Sequence, residues 1–326
     1  MWHLSQRVTG YPLFTIGRLN MKRTYIAGLA FLSLSLSTQA MAKDLDSIDI
    51  LAGDFMSVGS INVKKVVNNK LVDDAVQSNA DALKTINELK ALGIDYKKDI
   101  DMVTVALDDK GHGCSVIDGS KPIKPAYDAY IANKQVASEE YKVVVIYDGE
   151  IAFLSDKRML VCNRFDIKPS IDNFKADKPK SLKERASTIY NMYNLTSKSA
   201  DIRIGGKMTK SLRDRGKAYK LDSVDGSSIG VTDIDAAAVS VSLASGIDVT
   251  VVAQVKSADV ATAGAKILND TITPLLSDPS LEQLGLSFLG KAYKSSADKK
   301  NIKANVKLSD AQINTLMGLA EGAVGK

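Results

Sequence analysis

Three short apolar runs separated by turn residues constrain the fold most. Residues 142–147 are rich in β-branched and aromatic side chains, and Asp148-Gly149 separates them from a second apolar run at residues 150–154. An Asp-Gly pair in this position favours a tight hairpin turn, because glycine accepts the positive φ that the turn requires. After another turn the third run occupies residues 158–163. The runs are almost continuously apolar, which predicts a three-stranded meander covered on both faces.

Hairpin and helix patterns recur on both sides of this meander. Alternating apolar residues predict hairpins at residues 100–117 and 236–255, the second turned at Ser245-Gly246, and further strands at residues 53–61, 200–206 and 302–308. Apolar residues at helical spacing predict helices at residues 63–76, 83–92, 122–131, 167–174, 182–193, 207–216, 257–276, 279–293 and 309–320. The expected fold is α+β, with antiparallel sheets covered by amphipathic helices.

Three of the helix starts carry capping residues. Ser257 and Asp278 stand where an N-cap side chain would accept a backbone hydrogen bond. Ser309 is followed three residues later by Gln312, which is the spacing of a capping box. These residues predict where the last three helices begin.

The hairpin at residues 236–255 has two unlike faces. Val239 and Val241 alternate with Ser240 and Ser242 along its first strand. An apolar face and a small polar face predict a hairpin that is half exposed, and this hairpin is the expected place for a partner.

The chain divides into a leader and two halves. Residues 1–42 form the leader, residues 43–176 a first α+β half with the meander, and residues 177–326 a second α+β half with the terminal helix. A charged segment that contains Pro179 separates the halves. Asp-Ile-Asp triplets before both hairpins, at residues 99–101 and 233–235, favour an internal duplication.

The leader has the pattern of a secretory signal peptide. Met21 precedes two basic residues, an apolar run of about a dozen residues follows, and Ala40 and Ala42 match the signal peptidase pattern. Met21 is the expected start, and the apolar run is too short to span a membrane. Removing four leader cations from 43 basic residues leaves 39 against 38 acidic residues, a net charge of +1. We therefore expect a periplasmic or secreted protein, no nucleic-acid partner and no stable membrane insertion after cleavage.

The two cysteines are the candidate covalent link. Cys114 and Cys162 fall in separate predicted strands, and an oxidising compartment makes a disulfide between them the natural pairing. Two buried free thiols are the alternative.

The sequence contains no recognisable motif for a catalytic, cofactor or metal site. His112 is the only histidine after the leader, which argues against a histidine-based zinc site or triad. We expect His112 to be a turn residue and Cys114 to be a disulfide or core residue. A thiol–imidazole dyad formed by these two residues is the alternative. Ser296 and Lys299 fit a Ser-x-x-Lys pattern, but the partner motifs of that enzyme class are absent from the sequence. The paired aspartates lack the spacing of a calcium loop and fit turns that lead into strands.

Several strand and cap motifs carry a resemblance to a group of exported proteins. They are the Asp-Ile-Asp triplet before a valine-rich strand, Ala152-Phe-Leu-Ser-Asp156 before Met159-Leu-Val161, and Leu308-Ser-Asp-Ala-Gln312 after the last strand. The chain resembles uncharacterised exported proteins of myxobacteria and relatives over residues 99–320. The resemblance implies a duplicated α+β fold and export, and it carries no catalytic residues over.

The leading interpretation is an exported, non-catalytic binding or interaction protein of the bacterial cell envelope, whose partner is an envelope protein. A carrier of a small apolar ligand or lipid is the first alternative. It is favoured by a dense group of apolar residues, namely Leu275, Leu276, Leu281, Leu284, Leu286, Phe288 and Leu289, on helices that are expected to cover a sheet. A hydrolase with an unadvertised site is the second alternative.

Overall fold

A computed structural model describes residues 45–77, 83, 86, 87, 90, 94–123, 136–138, 141, 143–146, 149–222 and 228–324. The leader lies outside these residues, as do most of the helices predicted at residues 83–92 and 122–131 and Asp148 of the predicted turn. Within the described part of the chain, no helix is long and apolar enough to cross a bilayer.

Twelve of the described strands form one antiparallel sheet, and two more form a small separate hairpin. The strands are β1 Ser57–Asn62, β2 Ile100–Leu107, β3 Gly113–Gly119, β4 Val136–Ser138, β5 Val143–Ile146, β6 Gly149–Ser155, β7 Arg158–Asn163, β8 Ile202–Lys207, β9 Lys220–Asp222, β10 Ser228–Gly230, β11 Ile234–Ser242, β12 Ile247–Val255, β13 Tyr293–Asp298 and β14 Asn301–Leu308. The order across the large sheet is β13-β14-β12-β11-β8-β1-β2-β3-β7-β6-β5-β4, and β9 pairs with β10.

Four strands on each side of the β1–β8 pair follow a similar order, and β5 and β4 extend one side only. β1 pairs with β8, and from this pair β2, β3, β7 and β6 follow on one side while β11, β12, β14 and β13 follow on the other. One sheet therefore runs through both predicted halves. The duplication and the boundary between residues 176 and 177 stay predictions.

Several helices pack on the two faces of this sheet. All helices with described bounds are α1 Ser47–Ile50, α2 Val63–Val66, α3 Lys70–Gln77, α4 Tyr96–Asp99, α5 Lys168–Lys175, α6 Leu182–Arg185, α7 Ser187–Leu195, α8 Lys210–Gly216, α9 Ala258–Leu276, α10 Pro279–Gln283, α11 Leu289–Ala292 and α12 Asp310–Val324, with a short 3₁₀ turn at Val231–Asp233. We name the two faces after the helices α7 and α9, which pack on opposite sides. The predicted α+β class, with an antiparallel sheet and helices, is confirmed.

The second and third strands of the meander, β6 and β7, are buried from both sides, whereas Val145 of β5 is 61% exposed. On the α7 face, Leu160 of β7 belongs to a core with residues of α1, α5, α6 and α7. On the α9 face, Phe153 of β6 belongs to a second core with residues of α2, α3 and α4. Phe153 is 1% exposed and Leu160 is fully buried, so the near-continuous apolar runs are explained by helices on both faces.

Two predicted helices are interrupted. The helix predicted at residues 182–193 breaks at Ala186, which has an extended φ of −147° between α6 and α7. The helix predicted at residues 279–293 ends early, because Gly285 turns the chain with a φ of +74° and Tyr293 already starts β13. Lys299, at a φ of +54°, turns β13 into β14 without a glycine, so the usual hairpin signal is missing. Ser296 and Lys299 thus lie on an edge strand and its turn.

The three predicted caps are all present. The Ser257 side chain accepts a hydrogen bond from the Val260 amide, and the Asp278 side chain accepts one from the Ser280 amide. At the start of α12, the Gln312 side chain accepts from the Ser309 amide at 2.8 Å. The reciprocal bond, from the Gln312 amide to the Ser309 hydroxyl at 3.4 Å, completes the capping box.

Candidate binding surface

The two cysteines form a disulfide in the core. Cys114 on β3 lies directly opposite Cys162 on β7, their Cα atoms are 4.0 Å apart, and their sulfur atoms are bonded. Both residues are fully buried on the α7 face. The predicted disulfide is confirmed, and the alternative of two buried free thiols is wrong. This bond ties the meander to the preceding hairpin and leaves no reactive thiol here.

His112 belongs to the turn between β2 and β3. The Asp108 carboxylate accepts hydrogen bonds from the backbone amides of Lys110, at 2.8 Å, and His112, at 2.9 Å, and thereby holds the turn. Because Cys114 is in the disulfide, the alternative of a thiol–imidazole dyad is wrong. Among the described residues, no group of three or more His, Cys, Asp or Glu could hold a metal ion.

The aspartates of the two triplets bond to their own surroundings. Asp233 ends the 3₁₀ turn before β11, whereas Asp101 and Asp235 are the second residues of β2 and β11. Asp101 forms an ion pair with Lys64. Asp235 lies 3.2 Å from Arg213, and the Asp233 carboxylate accepts a hydrogen bond from the backbone amide of residue 230 at 2.9 Å. These contacts fit the interpretation of the triplets as turns that lead into strands.

The two faces of the β11–β12 hairpin differ in exposure. Ser240 is only 4% exposed and lies on the buried α7 face, together with Ala236 and Ala238. The valines alternate with them on the α9 face, where Val251 is 39% exposed. The accessible face of the hairpin is therefore the apolar one, and a partner at this hairpin stays a prediction.

The close approach of α7 explains why the small residues face inward. Met192 of α7 packs against Ala236 and Ala238. A Cβ atom on Gly205 of β8 would lie 2.6 Å from the Tyr193 backbone nitrogen, and the Tyr193 hydroxyl lies 2.6 Å from the Ser60 hydroxyl. A helix this close to the sheet excludes large side chains from the strands beneath it. The small face of the hairpin is therefore a packing surface.

Six β-branched side chains on the α9 face form what we call the valine strip. These residues form two rows that cross β8, β11 and β12. The second row lies two positions away from the first along each strand. This spacing gives a patch of roughly 10 Å by 7 Å. Ile204 is 47% exposed and Val251 is 39% exposed, while the other four are half-buried. The members are Ile202, Val241 and Val249 in one row and Ile204, Val239 and Val251 in the other.

Helices flank the valine strip on the same face. On one side α9 lies over β14, since a Cβ atom on Gly264 would lie 2.4 Å from the Ile302 side chain. On the other side, Tyr96 of α4 and Val63 of α2 share a core with Val103 of β2. The strip is therefore the apolar floor between two helical layers.

The apolar residues at 275–289, which were predicted to line a ligand cavity, lie partly in the core and partly on the surface. Leu286 is 7% exposed, whereas Leu275 and Leu284 are 66% and 56% exposed. These two side chains point to the outside and do not line an enclosed space. The valine strip is the apolar surface that the sequence analysis missed, and the alternation in β11 and β12 was its only signal.

Comparison with known proteins yields a likeness of fold alone. No protein-family model matches the chain, and no curated protein sequence matches it significantly. Crystal form III of TP0453 aligns with a TM-score of 0.50 at 10% identity, over 83% of this chain and 97% of that one. Crystal form IV aligns with a TM-score of 0.49 at 8% identity, over 84% of this chain and 96% of that one.

Proposed function

We propose that this chain is an exported, non-catalytic binding protein of the bacterial cell envelope, and that it binds its partner through the valine strip. The single observation that carries the proposal is the exposure of Ile204 and Val251 on an apolar sheet face. Covering such side chains by a partner removes apolar area from water, which stabilises the complex. Because β8, β11 and β12 are each paired with a neighbouring strand on both sides, the backbone of the strip is held in place before binding.

Export is supported by two independent features. Residues 21–42 have the order of a signal peptide, and the buried Cys114–Cys162 disulfide fits an oxidising compartment. The mature protein is expected to begin near Lys43 and to lack tryptophan, since Trp2 is the only one in the sequence. Intact-mass measurement of protein from the envelope fraction tests this. A mature chain that begins at Met1 would rule out the proposed export.

Site-specific crosslinking tests the strip as the binding surface. A photoreactive residue is placed at Val251, on the strip. The control position is Leu195, which is 42% exposed at the end of α7, the helix that packs on the opposite face of the sheet. We expect a defined crosslinked species in intact cells from position 251, and its loss in the variant Ile204→Ser. Equal products from both positions, or an unchanged product in Ile204→Ser, would contradict a role of the strip.

A small apolar ligand is the second candidate, because the helices on both sides of the strip would leave a narrow space above it. Native mass spectrometry of protein purified gently from its own host distinguishes the two. A retained lipid mass that disappears in Val251→Ser would support the carrier. A ligand-free mass together with a protein crosslink at position 251 would support the interaction protein.

A further inference from the structure

Basic charge is concentrated in one short segment. Residues 207–221, which we call the basic segment, contain six Lys or Arg residues and one acidic residue, Asp214. The remainder of the mature chain is therefore acidic overall, since its expected net charge is only +1. A charge balance near zero thus hides a strongly cationic surface. Its cations are Lys207, Lys210, Arg213, Arg215, Lys217 and Lys220.

The basic segment is exposed but fixed in position. It includes α8 and runs into β9, and most of its side chains are exposed. The Thr209 side chain caps α8, and β9 is held by its pairing with β10. Gly216 packs so closely that a Cβ atom there would lie 2.4 Å from the Val231 side chain. The segment therefore presents its charges on a defined surface.

Only some of these cations have acidic partners. Arg213 lies 3.2 Å from Asp235, and Lys217 lies 2.7 Å from Asp214. For Lys207, Lys210, Arg215 and Lys220, no carboxylate within the described ranges lies at ion-pair distance. Asp109 and Asp214 line the same shallow hollow as Lys210 and Arg215. Among the described residues, four cations of the basic segment thus remain without an ion-pair partner.

Large apolar side chains stand between these cations. Tyr219 is 69% exposed, Leu212 is 49% exposed and Leu221 is 37% exposed. Lysines that alternate with exposed leucine and tyrosine are typical of segments that lie at a membrane surface, where the rings and aliphatic groups enter the interface and the ammonium groups meet lipid phosphates. The buried parts of protein interfaces, by contrast, are poor in lysine.

We propose that the basic segment binds peripherally to a bilayer surface that contains anionic phospholipid. This surface is distinct from the valine strip and would hold the protein at the membrane while the strip stays available. The cations supply a salt-sensitive attraction, and Leu212, Tyr219 and Leu221 supply an apolar contribution that salt does not screen.

Vesicle binding by the complete mature chain tests the proposal. Phosphatidylcholine vesicles with one quarter phosphatidylglycerol are compared with pure phosphatidylcholine vesicles, at low and at high salt. We expect binding to the anionic vesicles that weakens with salt, and little binding to the neutral ones. The triple variant Lys207→Gln/Lys210→Gln/Lys220→Gln is expected to bind about a hundredfold more weakly, because each cation near an anionic surface contributes roughly fivefold.

Two further variants distinguish binding by the basic segment from a general effect of positive charge on the protein. The control Lys294→Gln/Lys299→Gln/Lys303→Gln removes the same charge from exposed positions on β13, β14 and their turn. It is expected to keep most of the binding. Tyr219→Ser is expected to lower the part of the binding that survives high salt.

Each of three outcomes would overturn the proposal. They are equal losses in the two triple variants, unchanged binding in the first triple variant, and equal binding to neutral and anionic vesicles. An unchanged affinity of Tyr219→Ser together with displacement by soluble polyphosphate would assign the segment to a soluble anion instead. Thermal unfolding of each variant, followed by circular dichroism, confirms that it is folded.

Discussion

Removing the Cys114–Cys162 disulfide should lower the stability of the whole sheet. The bond closes a loop with a sequence separation of 48 residues. The loop-entropy model gives about 4 kcal/mol for a loop of this length, because the crosslink restricts the unfolded chain. Each sulfur atom is also fully buried, so its removal in a double alanine variant leaves a small void that costs roughly 1 kcal/mol. We expect the double variant Cys114→Ala/Cys162→Ala to have a free energy of unfolding that is about 4 to 6 kcal/mol lower.

Urea unfolding followed by circular dichroism measures this loss. The matched control is Ser115→Ala, next to Cys114 on β3, because the Ser115 hydroxyl is fully buried and has no hydrogen-bond partner among the described residues. Loss of an unsatisfied polar atom is expected to be neutral or stabilising. The double variant should also show a larger dependence of the free energy on urea, since its unfolded chain is less compact. A loss below about 1 kcal/mol with an unchanged urea dependence would refute the loop-entropy reasoning.

Three further variants test local features of the structure. Gly205→Ala places a Cβ atom 2.6 Å from the backbone of α7 and should cost about 3 kcal/mol or more of unfolding free energy, whereas Gly318→Ala, with no atom within 4 Å, should stabilise α12 slightly in the same urea assay. Asn269→Ala should cause self-association in sedimentation velocity, because the Asn269 amide bonds both the N–H and the C=O of Ser295 at 3.2 Å and so covers the edge strand β13; a strictly monomeric variant would count against this role. Hydrogen bonds from Ser181 hold the pKa of Glu184 below its ordinary value, so the stability that ionised Glu184 contributes is present at neutral pH and is lost as the pH falls through the lower pKa of the folded state. Glu184→Gln should therefore flatten the decline in melting temperature on acidification, and an unchanged decline would contradict the assignment.

Features set by neighbouring residues could be predicted from the sequence. The hairpin expected at residues 100–117 is observed as β2 and β3, and the helix expected after Ser257 ends at Leu276 as predicted. In both cases the determining interactions lie within one element, as side-chain alternation or as a cap that bonds the first turn. The disulfide could be anticipated because only two cysteines were present to pair.

Features that depend on distant packing could not be predicted in this way. Tyr293–Asp298 carries lysine, serines and aspartate with little alternation, and it is a strand because β14 pairs with it on one side and α9 covers its outer edge. Likewise, residues 182–193 have one helical pattern, but the chain bends at Ala186 so that α6 and α7 can pack at different angles on one core. Periodicity cannot report partners that lie far away in the chain.

The valine strip could not be predicted for the same reason, because its exposure depends on helices that are distant in the sequence. Alternation along β11 establishes that its two faces differ, but it does not determine which face turns inward. That choice depends on α7, which approaches the sheet at Gly205 too closely for valines to fit beneath it. The apolar residues are left on the side where α9 covers only the strands near the edge. Placing the valines beneath α7 would therefore require a wider separation of helix and sheet. The observed arrangement leaves Ile204 and Val251 exposed, and a partner that covers them would remove this apolar area from water.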